Sequence, residues 1–331
     1  MQSLFADGFD LHFARIRNLF AAMQPVVILV MLCVNGTLSL SQTPGHNVIS
    51  TGEDSLPAIS KDVQEVNVLF TATDHRGHFV HDLRESDFII RDNGEPPARI
   101  TYFESQAQLP LRLAVVIDNS ASVTYSLDYE KKAASLFLKQ VLRAGVDLGF
   151  VVAFNEKPHL MQGPTSDHHQ LTSAIGRIRK SDGETAIFDA VWFASEELTT
   201  IQDKETTRRA IVLMTDGMDN RSHRRPDEAE KLAQQNENAV YVISANNWAD
   251  KRDSADEAMT RLAEATGGSF LRAIDEDAVA EALSKTAKGL RNQYLIAYVP
   301  SGVRPDGSFH RLVVLGPKKI RIHHRMAYLA R

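Results

Sequence analysis

Residues Leu111–Val123 read "LRLAVVIDNSASV". Past Arg112 the run is aliphatic without alternation, the pattern of a strand covered on both faces, as in a parallel sheet flanked by helices. It breaks at Asp118 into a carboxylate followed by two hydroxyls, Ser120 and Ser122, at every second position. Ligands of open α/β sheets bind in the crevice beyond the carboxyl ends of the strands. The stretch therefore predicts a fold and, at its tip, the place where a ligand would meet it.

Outward from this strand the signal repeats. Leu148–Phe154, Ala210–Met214 and Val240–Ser244 are further aliphatic strands, and Ser269–Ala273 is strand-like. Between them Leu127–Leu142, His169–Ile178, Ala186–Leu198, Pro226–Gln235, Asp256–Thr266 and Asp275–Leu290 carry apolar residues at helical spacing. Pro226 stands at a helix start and Gly267-Gly268 at a helix end. The alternation predicts an α/β domain over residues 110–291: a doubly wound, mostly parallel sheet with helices on both faces.

Both flanks read as β only. In residues 61–107, "VNVLFTATD" and "DFIIRDNGEPPARITYFES" are rich in β-branched and aromatic residues, and Asp92-Asn93-Gly94 is a hairpin-type turn. In residues 292–331, Tyr294–Val299, His310–Leu315 and Ile320–Tyr328 read as strands, separated by turns at Pro305-Asp306-Gly307 and Gly316-Pro317. The two flanks are expected to pair into one discontinuous β-sandwich, with the α/β domain inserted between them.

The N-terminus reads as an export signal. Arg15 and Arg17 precede the apolar "PVVILVMLCV" of Pro25–Val34, and Ser39 and Ser41 supply small residues at cleavage-like spacing. Residues 1–41 are read as a signal peptide, with a membrane anchor as the alternative, and the polar residues 42–60 as a linker. The expected location is periplasmic or extracellular, with membrane contact only if the segment is retained. Cys33 is the chain's single cysteine, so disulfides and thiolate metal sites are excluded. A net charge of −5 without a basic stripe argues against nucleic acid.

Two more loops belong with the first. "MTDGMDN", Met214–Asn220, places Asp216 at another strand end, and "DGETAIFDA", Asp182–Ala190, places Thr185 in a turn before a helix. Each loop alone reads better as a helix cap or turn. Together, Asp118, Ser120, Ser122, Thr185 and Asp216 are an all-oxygen set suited to a hard cation: Mg²⁺, or else Mn²⁺ or Ca²⁺. Hydroxyl ligands are neutral, so such a cation would stay electrophilic and seek an anionic oxygen from a partner.

Here "DNSAS", "ETAIFDA" and "TDGMDN" resemble the metal-ion-dependent adhesion site of von Willebrand factor type A domains, whose first motif is Asp-x-Ser-x-Ser. The resemblance spans roughly residues 110–290. It implies that Ser120, Ser122 and Thr185 touch the metal, with Asp118 in the first motif and Asp216 behind. Ala121 stands where that family often has glycine. The flanking "FIIRDNGEPPARITYFE", "YLIAYVPSGVRPDGSFHRLVV" and "RMAYLAR" are similar to the exported von Willebrand factor A-related proteins typified by acidobacteria.

Other candidates weigh less. The chain has no Gly-x-Ser-x-Gly elbow, His-Glu-x-x-His or phosphate-binding Gly-x-x-x-x-Gly-Lys-Ser/Thr loop, and no enzyme is expected. His75, His78 and His81, beside Asp74 and Asp82, read as solvated loop residues rather than a transition-metal site. Arg221, Arg224 and Arg225 leave the same strand end as Asp216 and read first as a plain solvated loop, the alternative being a rim that steers an acidic partner toward the cation. Trp248 follows the next strand and reads either as half-buried against its own loop or as an aromatic anchor for that partner. The expected function is an exported adhesion or scaffold module that captures a protein carboxylate through a cation. The alternatives are a structural or assembly domain with a vestigial site, and after that a metal-dependent hydrolase.

Overall fold

The aliphatic stretch forms a strand whose Ala114–Ile117 are wholly buried on both faces. The structure is a computed structural model that describes residues 65–105, 108–123, 126–203, 206–216, 218–245, 254–302 and 307–330. The signal-peptide and linker readings of residues 1–41 and 42–60 lie outside the described residues. The N-terminal flank gives β1 (Val66–Thr73), β2 (Ile89–Asp92) and β3 (Arg99–Glu104). The α/β region follows as β4 (Leu111–Asp118), α1 (Leu127–Val141), β5 (Leu148–Phe154), β6 (Pro158–Thr165), α2 (His168–Arg177) and α3 (Ile187–Thr200). It continues through β7 (Arg208–Thr215), α4 (Pro226–Gln235), β8 (Asn238–Ser244), α5 (Ser254–Thr266), β9 (Phe270–Arg272) and α6 (Glu276–Arg291). The tail adds β10 (Tyr294–Val299), β11 (Phe309–Leu315), β12 (Arg321–His324) and β13 (Ala327–Leu329).

The central sheet runs β6-β5-β4-β7-β8-β9 and is parallel except for β6. Side chains alternate across a strand, so β4 feeds two cores. Leu111, Leu113, Val115 and Ile117 pack with α1, α2 and α6, while Ala114 and Val116 pack with α3, α4 and α5. This is the doubly wound α/β fold that the alternation predicts. The antiparallel edge strand β6 is an addition to it. Its sequence, "PHLMQGPT", carries two prolines and a glycine and reads as a loop. Proline is tolerated in a sheet where the N–H faces outward, and β6 is an edge.

The flanks form two antiparallel sheets, β12-β1-β10-β3 and β13-β11-β2, each mixing strands from both ends of the chain. Val68, Phe70, Tyr294 and Ile296 from the first share one core with Ile90, Leu312, Val314 and Tyr328 from the second. The Asp92 carboxylate sits inside it, accepting from Tyr298 at 2.9 Å and Tyr328 at 2.6 Å and pairing with His310 at 2.9 Å. Asn93 and Gly94 have the positive φ of the expected hairpin-type turn (50° and 91°), closed by reciprocal amide–carbonyl bonds between Asp92 and Glu95 at 2.8 and 2.9 Å, after which β2 and β3 enter different sheets. Pro96-Pro97, just past the turn, lacks the N–H groups a returning hairpin strand needs. The expected strand Ile320–Tyr328 is instead β12 and β13, split at Arg325, whose guanidinium is buried against Glu237 at 2.8 Å and the Asn67 carbonyl at 2.8 Å.

One further buried acid braces the α/β region. Asp147 accepts from the Leu111 amide at 2.8 Å, where β4 begins, and from the Arg143 amide at 2.7 Å. It also pairs with the guanidinium of Arg143 and with that of Arg291 at the end of α6.

Candidate functional site

Strands β4 and β7 lie side by side with Ile117 opposite Met214, so Asp118 and Thr215 emerge together at the carboxyl end of the sheet. Asp118 is fully buried. Its carboxylate accepts from its neighbour's amide, Ser120 N–H, at 2.9 Å, which closes a tight side-chain turn, and from Thr215 Oγ1 at 2.7 Å. That turn carries Ser120 and Ser122 out together, with their hydroxyls 3.1 Å apart. Thr185 Oγ1, from the loop before α3, donates to Ser120 Oγ at 2.9 Å. Ser120 and Thr185 are buried while Ser122 is exposed. The hydroxyl cluster therefore opens to the surface at Ser122.

The three loops are laced by main-chain bonds. Ala121 N–H donates to the Gly183 carbonyl at 3.0 Å, Ser181 N–H to Asn119 at 2.8 Å, and Asn220 N–H to Thr185 at 3.0 Å. Side chains from the loop after β7 do the rest. Asn220 Oδ1 accepts from the Thr185 amide at 2.8 Å, Asp219 Oδ1 from the Ile187 amide at 2.8 Å, and Ser222 Oγ from the Phe188 amide at 3.0 Å. Helix α3 begins on Ala186, which has no capping side chain; Asp219 and Ser222 cap it from across the site. In return the Asp189 carboxylate accepts from the His223 and Arg224 amides.

Electrostatically the site is an acidic pit. Burial pushes the Asp118 carboxyl up to about 7, against the lowering effect of its bonds from Ser120 and Thr215, and the charge of Asp216 raises it further. Burial also raises Asp216, opposed by the nearby Ser122 hydroxyl. Asp216 Oδ1 is shielded from solvent with no hydrogen-bond partner, a costly state for a carboxylate oxygen. Clustered hydroxyls beside a buried, unpartnered carboxylate oxygen form a donor set that fits a hard cation.

The structure thus brings Asp118, Ser120, Ser122 and Thr185 together, with Asp216 on the adjoining strand end. The rim is arranged differently from a set of free cations. Arg221 lies 3.6 Å from Glu184 with both side chains about half exposed, and the Arg224 guanidinium lies 4.1 Å over the Trp192 ring. Trp248 lies outside the described residues. Among the described residues no group of three or more His, Cys, Asp or Glu side chains is gathered to hold a metal. His78, for its part, is an exposed partner of Asp74 at 3.2 Å.

Thr215, Asp219, Asn220 and Ser222 are the site residues that sequence reading passes over. The only available signal was their run of oxygen-bearing side chains after a buried strand. Asn220-Arg221-Ser222 also matches a glycosylation acceptor pattern, whereas both its polar ends bond inward here.

A model of the von Willebrand factor type A domain matches residues 113–218. No curated protein matches the sequence. Among solved structures, proximal thread matrix protein 1 from the mussel byssus is 17% identical, with 60% of this chain and 50% of that one covered at a TM-score of 0.50. A von Willebrand factor type A protein from Catenulispora acidiphila is 15% identical over 82% of this chain and 73% of its own, at 0.48. The hypothetical protein BatB from Bacteroides thetaiotaomicron is 21% identical over 54% of this chain and 99% of its own, at 0.42. With the doubly wound sheet and the matched segment running from β4 to the loop after β7, the chain carries a von Willebrand factor type A domain.

Proposed function

We propose that this domain is a protein-binding module that takes an acidic ligand through a divalent cation at the tip of β4, Mg²⁺ by preference and Mn²⁺ or Ca²⁺ as alternatives. The supporting observation is the hydroxyl cluster: Ser122 and Thr185 lie 3.1 Å and 2.9 Å from Ser120 Oγ, beside an Asp216 oxygen buried without a partner. Ser120, Ser122 and Thr185 would hold the cation directly, with Asp118 and Asp216 supplying negative charge behind them. Bound there, the cation would offer a Lewis-acidic point to a carboxylate from outside, because neutral hydroxyls leave most of its charge uncompensated. Asp118 fixes the Ser120 amide, Thr215 fixes Asp118, and Asn220 fixes the Thr185 amide. The hydroxyls are thus pre-aimed, and little ordering remains to be done when the cation arrives.

Surface chemistry suited to a protein partner lies on the loop after β7 and along α3. Met218 is 49% exposed, and Asp189, Trp192 and Phe193 of α3 line an open depression with His223 and Arg224. On the reading of the N-terminus as an export signal, the module would act outside the cytoplasm in adhesion or scaffolding. Among the described residues no helix is long and apolar enough to cross a membrane.

The test is titration of the purified protein with Mg²⁺ and Mn²⁺, followed by calorimetry and by melting temperature, for wild type and Ser120→Ala. Saturable binding that raises the wild-type Tm, is reversed by chelator and is lost in the variant is the expected result. A wild type that neither binds nor shifts at millimolar cation would overturn the reading and leave a structural or assembly module.

A further inference from the structure

Helix α1 buries a regular stripe of Leu127, Ala133, Ala134, Phe137, Leu138 and Val141, and Glu130 falls within it. Glu130 is 1% exposed, and neither of its carboxylate oxygens has a hydrogen-bond partner. Ser126, one turn earlier, is near enough to ease its ionisation, but that hydroxyl bonds the Val123 carbonyl at 3.3 Å. Burial pushes the Glu130 carboxyl up to about 7, and the charges of Asp118 and Asp216 add to this. Among the described residues, no cation is among the groups that act on it. The first turn of a helix favours a negative charge by at most about 2 kcal/mol, whereas burying an unpaired carboxylate costs several. A residue that weakens the core by more than its helix position returns points to a role other than stability.

Resting on the cation reading above, we propose that Glu130 is a further residue of the cation site, a positioning group whose buried charge draws the cation toward Ser120, Ser122 and Thr185. It does not join Asp118 and Asp216 as a direct ligand, since the three acids are not gathered closely enough to hold an ion among them. It acts from the first turn of α1, which follows directly on the loop that carries Ser120 and Ser122, through the field it shares with Asp118 and Asp216. Bound cation would then neutralise an otherwise unanswered charge in the core, and binding and stability would be coupled through this one side chain.

The experiment uses the full chain with Mn²⁺ as probe and compares wild type, Glu130→Gln and Glu130→Met. Glu130→Gln keeps the shape and removes the charge; Mn²⁺ affinity should fall by about 10- to 100-fold, the usual effect of losing a supporting group behind metal ligands. Glu130→Met fills the stripe with an apolar side chain; it should raise the Tm measured in chelator and shrink the Tm gain on adding Mn²⁺. Wild-type binding with an unchanged affinity in Glu130→Gln would overturn this inference alone. A wild type that fails to bind Mn²⁺ would overturn it together with the reading it rests on. A Glu130→Met protein that melts lower in chelator would show that the acid stabilises the fold, and would overturn it as well.

Discussion

At Ser120 the backbone and the side chain serve different partners. The amide is held by Asp118, and the hydroxyl accepts from Thr185 and meets Ser122. Ser120→Ala keeps the first and removes the second, leaving the buried Thr185 hydroxyl without its acceptor. The expected cost in cation-free protein is about 1 kcal/mol, read as a lower urea midpoint at an unchanged m-value. Asp118→Asn is harsher, because two donors converge on a carboxylate and an amide turns its NH₂ toward one of them. A loss of about 1–3 kcal/mol is expected by the same measurement. A midpoint within error of wild type would mean that Asp118 does not organise the turn. Asp118, Ser120 and Ser122 are legible in the sequence because three oxygens follow an unbroken aliphatic strand at alternate positions. Glu130 is not legible. Helical periodicity places it in an apolar stripe, and a pattern of residue types carries no record of whether a buried oxygen finds a partner.

Helix α3 draws its N-terminal cap from another part of the chain. With Ala186 at the cap position, the first amides of α3 bond Asp219 and Ser222 in the loop after β7. Asp219→Ala should therefore cost about 0.5–2 kcal/mol, as loss of a local cap does. Because Asn220 on the same loop holds the Thr185 amide, the proposed cation affinity should drop too, although Asp219 is not among the proposed ligands. An Asp219→Ala protein with wild-type stability would show that the cap is dispensable. Sequence reading placed α3 correctly from its apolar spacing, but it could not say what starts the helix, since a cap supplied from across the site leaves no mark at the helix itself. Strand β6 escaped for a different reason. Its two prolines and glycine are loop residues anywhere but on a sheet edge, and edge position is set by topology.

Over the whole described chain, two buried acids join parts that are distant in sequence. Asp92 ties β2 to β10, β11 and β13 through Tyr298, His310 and Tyr328. Asp92→Ala leaves those polar groups facing an apolar core, and a loss of about 3–5 kcal/mol is expected from breaking such a buried set; a thermal melt would read it as a large fall in Tm. Asp147 gives a pH signature. Burial alone would raise its carboxyl, but bonds from Arg143, Leu111 and Arg291 hold it below the ordinary aspartate value. A carboxyl depressed by folding lends stability that is in place above about pH 4, its unfolded value, and is lost as pH falls through the lower folded value. Wild type should thus lose stability between about pH 4 and pH 2 more steeply than Asp147→Asn. Parallel acid profiles for the two would remove Asp147 from the account. The pairing of the flanks was legible as two β-rich ends around an α/β core. Which strand enters which sheet was not, because register depends on contacts that local composition does not encode.

The chain enters the α/β domain from β3 and returns into β10, and these two strands are hydrogen-bonded neighbours, with Leu295 opposite Glu104. The inserted domain is therefore joined to the sandwich through two adjacent strands, and the pairing of buried Arg325 with Glu237 adds a side-chain contact between domain and sandwich. A pull on the inserted domain reaches both strands, and β10 is laddered to β1 along the run from Val66–Tyr298 to Phe70–Tyr294. On the adhesion reading, tension between a captured partner and the N-terminal strand would load that rung-by-rung ladder in shear.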